Sequence, residues 1–112
     1  SETDMNPSKI ENRNRFLQLI KDQSKVVIYP AGGVAKDFTK SEFFQYLNVV
    51  AFSDKSELKI GNELYGIEII NPKKIKETNP SVIIIAVSNH LTENVLKDLN
   101  EMNYAEIEKI FV

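Results

Sequence analysis

Three observations in the sequence predict an α/β fold, a three-layer sandwich with helices on both faces of a mostly parallel sheet. Short apolar runs rich in Val and Ile alternate with segments of helical spacing. Two of those runs, K-V-V-I-Y at Lys25–Tyr29 and V-I-I-I-A-V at Val82–Val87, read as buried strands, the first apolar on both faces. The pair Gly32-Gly33 follows the first run and precedes a helical segment. A strand that is apolar on both faces has to be covered on both, and each return to a parallel neighbour needs a crossover, normally right-handed. These rules give an expected strand order of 3-2-1-4-5.

At 112 residues the chain suits one hydrophobic core, since two would each be too small to offset the entropy of ordering the backbone. We divide it into an N-terminal tail and helix, residues 1–24, and an α/β unit, residues 25–112. A content of 42% hydrophobic and 27% charged residues is that of a globular domain. The formal charge of -2 argues against a dedicated nucleic-acid partner, which needs a basic face to displace counterions. With no Cys and one His, neither a disulfide framework nor a multi-histidine metal site can be built. The longest apolar run falls far short of the ~20 residues of a membrane-spanning helix. A cytoplasmic location is compatible with this. The absence of both an initiator Met and a signal peptide leads us to expect an excised piece of a larger protein.

The elements follow in order. Residues 1–7 are polar and expected to fray. Ser8-Lys9-Ile10-Glu11 has the S-x-x-E form of a capping box, and Ile10, Phe16, Leu17 and Ile20 recur at helical spacing up to Gln23. Lys25–Tyr29 is the first strand. Val34 to Leu47 reads as helical, with Thr39-Lys40-Ser41 as an interruption, and Asn48–Ser53 is the second strand, ending at Asp54. Gly66 to Ile70 is a third strand, after which Asn71 caps a short helix with Pro72 in its first position. Val82–Val87 is the fourth strand. Leu91 to Met102 forms a helix with Leu91, Val95, Leu96, Leu99 and Met102 inward, Asn103 is suited to a left-handed C′ position, and Glu106 to Val112 is the last strand.

In this order the chain reverses direction between the first and fourth strands, and ligands of open α/β sheets bind in the crevice at such a switch point. The loops facing it are Pro30–Val34 and Ser88–Leu91. Against the phosphate-binding pattern G-x-G-x-x-G, the run Pro30-Ala31-Gly32-Gly33-Val34-Ala35 keeps Gly at the second place and Ala at the third, with Pro at the first. Gly32 lets a pyrophosphate approach the backbone, and Ala35 allows close helix packing. The alternative is that the glycines only make a tight turn. Asp54 stands 22 residues after Gly32, near the ~20 expected of an acid that accepts from ribose hydroxyls, or it is simply an Asx-turn residue. Ser88, Asn89 and His90 are candidate ligand contacts from the opposite loop, His90 equally a polar residue at a helix entry. Lys36 either neutralises a phosphate or is solvated. The candidate binding set is thus Ala31, Gly32, Gly33, Val34, Asp54, Ser88, Asn89 and His90. No catalytic set can be assigned from spacing.

The order V-V-I-Y-P-A-G-G-V-A-K, V-V-A-F-S-D, G-I-E-I-I-N-P, V-I-I-I-A-V-S resembles the small Rossmann-like domains of bacterial glycan-biosynthesis proteins, over Lys25 to Val112. Such domains precede nucleotide-sugar dehydratases or epimerases and form the N-terminal part of sugar-nucleotide acyltransferases, the group that A-G-G-x-A-K is most like. The resemblance implies that Gly32, Gly33 and Asp54 help hold a nucleotide sugar such as a UDP-sugar, or else a dinucleotide of the NAD(P) type. It also implies that principal catalysis lies in an adjacent domain of a surface-polysaccharide biosynthesis protein. Pro30 departs from the pattern, and no hexapeptide repeats for acyl transfer are present. The rival expectation is a module that kept the Rossmann shape and serves as a homodimer contact without ligand.

Overall fold

A computed structural model describes the backbone of residues 7–112 and the side chains of residues 10–112. Of residues 1–7, expected to fray, 1–6 lie outside these, while Pro7 opens a helix. Helix α1 spans Pro7–Asp22, so Ser8 lies within it rather than at its cap. Strand β1 is Lys25–Tyr29, helix α2 is Gly33–Phe38, and a 3-10 turn at Phe44–Tyr46 leads into β2, Asn48–Ser53. Strands β3, Glu63–Leu64, and β4, Ile67–Ile70, form a hairpin. A 3-10 helix at Pro72–Thr78 precedes β5, Val82–Ile85. A further 3-10 turn at Asn89–Leu91 opens into α3, Thr92–Glu101, and β6, Glu108–Phe111, closes the chain.

Among the described residues six strands lie in the order β3-β4-β2-β1-β5-β6, parallel throughout except for β3. Five of them reproduce the expected order. The addition is β3, a two-residue edge strand whose turn through Tyr65 and Gly66 places both in the left-handed region, φ 53° and 74°. That conformation matches the twist of a two-residue hairpin. A Tyr at the first turn position hid it from a reading based on Asn-Gly or Asp-Gly.

Successive strand residues point to opposite faces. Val26 and Ile28 join Phe16 and Leu19 of α1, Ala35 and Phe38 of α2, and Phe52 in one core layer. Val27 and Tyr29 join Ile75, Val95, Leu99 and Tyr104 in the other. Both faces of the sheet are therefore covered, which is why β1 is buried from Val26 to Tyr29 and β5 from Val82 to Ile85. Within α1 the buried face runs through Phe16 and Leu19, while Ile10 and Leu17 are 40% and 46% exposed. At 3.6 residues per turn those two point roughly 100° or more away from Phe16, so the expected stripe was too wide.

Of two helical expectations, one is shortened and the other changes type. The Val34–Leu47 segment is helical only to Phe38, where the backbone turns at Thr39 and Lys40 as the polar triplet suggested. The short helix after β4 is of the 3-10 type, and Asn71 caps it as expected, accepting from the Lys73 N–H at 2.9 Å. Asn103 takes its left-handed role at φ 66°. No described helix is long and apolar enough to cross a membrane.

Candidate functional site

Strand β1 lies between β2 and β5, so the chain leaves β1 toward one side of the sheet and β5 toward the other. The loops beyond their C-terminal ends diverge and leave a cleft of about 320 Å³ between them. It is lined by Pro30, Gly32, Gly33 and Val34 from the first loop and by Ala86, Val87, Ser88 and Leu91 from the second. The topology thus brings the two predicted loops together. The peptide bond between Tyr29 and Pro30 is cis.

The glycine pair has no explanation within the chain itself. Neither Gly32 nor Gly33 has a positive φ; the glycines that do are Gly61 and Gly66. Gly32 is extended, at φ -110°. A Cβ added to either residue would meet nothing within 4 Å, so no neighbouring group of the protein requires the missing side chain. Neither a positive φ nor a packing contact with the surrounding protein therefore accounts for the pair. What the absence of side chains leaves is bare backbone facing an open cleft. Helix α2 behind it has only six residues, so its dipole offers less to an anion than the expected longer helix would.

Asp54, at the end of β2, makes the Asx turn that the sequence offered as one of its two readings. Its side chain is 12% exposed and is not part of the cleft lining. Oδ2 accepts the Ala31 N–H at 3.0 Å, and Oδ1 accepts the Ser56 N–H at 2.9 Å. The second bond is the Asx turn weighed above, and the first adds a tie to the glycine loop. Ala31, 2% exposed, is spent on that tie and presents no surface to the cleft. Lys59, unremarked in the sequence, donates from Nζ to the Ala31 carbonyl at 3.1 Å and stands 3.6 Å from Asp54 Oδ2. Only its position five residues after Asp54 could have drawn notice, since a Lys in a polar turn ordinarily reads as solvated.

Of the remaining candidates, Ser88 and Val34 line the cleft, whereas Asn89 and His90 are exposed on the 3-10 turn beyond it. Leu91, expected in the core, is 40% exposed and faces the cleft instead, because α3 begins only at Thr92. Lys36 is exposed on α2. Tyr29, at the end of β1, has its phenol pushed up to about 12, chiefly by burial and then by the charges of Asp98 and Asp54. Among the described residues no group of three or more His, Asp or Glu could hold a metal ion. The lining of the cleft offers an apolar shape, backbone groups and the Ser88 hydroxyl to a ligand. A second hollow of about 410 Å³, lined by Arg13, Leu17, Ile20, Glu42, Phe43 and Tyr46, lies against α1 and includes none of the loops at the strand ends.

The family described as C2185-like, N-terminal, matches residues 22–111. No curated protein sequence matches the chain. Among solved structures, the Rex-family repressor RSP superposes with a TM-score of 0.61 at 10% identity, over 93% of this chain and 59% of that one. RSP in complex with beta-NADH gives 0.60 at 12% identity, over 91% and 59%. UDP-D-quinovosamine 4-dehydrogenase from Vibrio fischeri gives 0.56 at 22% identity, over 80% and 77%. The chain thus spans 59% of the repressor's length. At such identities the likeness establishes a Rossmann-like fold. RSP with beta-NAD+ and operator DNA is a further match, at 12% identity, so these comparisons lend nothing to the expectation that nucleic acid is not a partner.

Proposed function

From the premise that this chain belongs to the C2185-like N-terminal family, we propose that it is a dinucleotide- or nucleotide-sugar-binding domain that holds its ligand across the cleft at the end of β1. The observation that carries this is the glycine pair: two residues without side chains, free of any backbone or packing need for Gly, border the cleft at the topological switch point. A pyrophosphate passes over Gly32 and Gly33 where a Cβ would obstruct it, and one arm of the ligand lies between Val34 and Leu91 toward Ser88. The apolar walls formed by Pro30, Ala86 and Val87 suit a ring or sugar face.

Two likenesses support the ligand class. RSP is described in complex with beta-NADH, and the Vibrio fischeri enzyme acts on a UDP-sugar. The second, with the sequence resemblance, supports a place in a larger cytoplasmic glycan-biosynthesis protein whose catalytic groups lie in another domain. Calorimetric titration with NAD(H), NADP(H) and UDP-sugars tests the reading. Saturable binding of one class is the expected result, and no heat from any of them at millimolar concentration refutes it.

A further inference from the structure

A ligand whose pyrophosphate crosses Gly32 and Gly33 has a second arm, which leaves the cleft toward β2, the other neighbour of β1. Asp54 stands there. An acid at this position that is free to accept from a ribose diol favours the unphosphorylated ribose. Here both carboxylate oxygens already accept a backbone N–H, and the side chain is 12% exposed. Lys59, by contrast, is 43% exposed. Its ammonium has three N–H donors, of which the Ala31 carbonyl takes one and Asp54 at 3.6 Å draws another. The third has no partner among the described residues.

The group presented at this end of the site is therefore a cation, held in place by a backbone carbonyl, with a carboxylate behind it. Lys59 offsets the charge of Asp54, which alone would repel a phosphate. The hydroxyl of Ser56, half-buried in the same turn, makes no hydrogen bond among the described residues and is a second donor. Lys55 is drawn elsewhere, to Asp98 of α3 at 2.6 Å. Resting on the dinucleotide reading above, we propose that the site selects a ligand with a phosphate monoester on the ribose beside β2, an NADP(H)-type rather than an NAD(H)-type dinucleotide, and that Lys59 is the selecting residue.

The test is paired titration of the protein with NADPH and NADH, repeated on Lys59→Gln and Lys59→Arg. The expected result is NADPH bound about tenfold or more tighter than NADH, the range of a charged hydrogen bond. Lys59→Gln should bring the two affinities together by weakening NADPH, and Lys59→Arg should keep them apart. Lys59 also braces the glycine loop, so the ratio is the readout: a purely structural loss weakens both dinucleotides equally and leaves the ratio unchanged, which overturns the proposal. NADH bound as tightly as NADPH overturns it too, while leaving dinucleotide binding intact. Binding of a UDP-sugar alone upholds the nucleotide-site reading and removes this one. Binding of nothing removes both.

Discussion

The Ala31 N–H donates to Asp54 Oδ2 at 3.0 Å, joining the loop after β1 to the end of β2 across 23 residues of sequence. This bond sets the path of the backbone immediately before Gly32. Asp54→Ala leaves a buried N–H without an acceptor, a loss of about 1–3 kcal/mol. Urea denaturation should show that loss in the absence of any ligand. An unchanged midpoint would mean that the bond does not hold the loop.

Gly33→Ala and Gly32→Ala should leave stability unchanged or raise it by up to about 1 kcal/mol, because the added Cβ meets no atom and restricts the unfolded chain. The same substitutions should weaken ligand binding about tenfold or more by keeping phosphate off the backbone. Thermal melts and titration of the two variants give both quantities. A marked drop in melting temperature would show that the glycines serve the turn after all.

Leu91 and Leu99 separate cleft from core. Leu99 is fully buried, so Leu99→Ala should cost about 2–5 kcal/mol through lost contact and a residual cavity. Leu91→Ala, at a 40% exposed position, should change stability by less than about 1 kcal/mol and act on affinity instead. Equal destabilisation by the two would place Leu91 in the core.

Tyr29 gives a pH signature. Burial raises its phenol from 10.0 to about 12 in the folded chain, so the unfolded chain ionises first. The stability due to the neutral phenol is complete below pH 10 and is lost as pH rises toward 12. Tyr29→Phe should remove that part of the alkaline decline, as measured by denaturation at a series of pH values. A variant with the same alkaline slope as the parent would refute the assignment.

Glu108 acts at the other end of the scale. The bidentate bond from Arg15, at 2.7 and 2.8 Å, holds its carboxyl below the usual 4.5 against an opposing effect of partial burial. Its contribution is present above that pH and fades as pH falls below it. With the pair 36% and 44% exposed, solvent screening limits the effect to about 1 kcal/mol or less. Glu108→Gln should flatten the acid limb of the stability curve by that much. An unaltered acid limb would show that the pair contributes nothing measurable.

The limits of β1 and β2 were legible in the sequence to the residue, because the apolar cores Val26–Tyr29 and Val49–Phe52 are bounded by polar or turn-forming residues. The order of five strands followed from chain connectivity and the handedness of crossovers. So did the place of the cleft, since a reversal of winding direction is a property of connectivity alone. The Asn71 cap and the left-handed Asn103 were legible because each depends on a few neighbouring residues.

The roles of individual side chains at the site were not. Asp54 has the spacing of a ribose acceptor, yet its oxygens are taken by Ala31 and Ser56, and no local pattern records a bond across 23 positions. Lys59 became a candidate only when the fold carried it to the Ala31 carbonyl, and Leu91 moved from core to cleft because α3 starts one residue later. Periodicity and connectivity, which act over whole elements, were determined by the sequence itself. Which donors meet which acceptors was decided by tertiary structure, since a hydrogen bond depends on tenths of an ångström that only the packed chain defines.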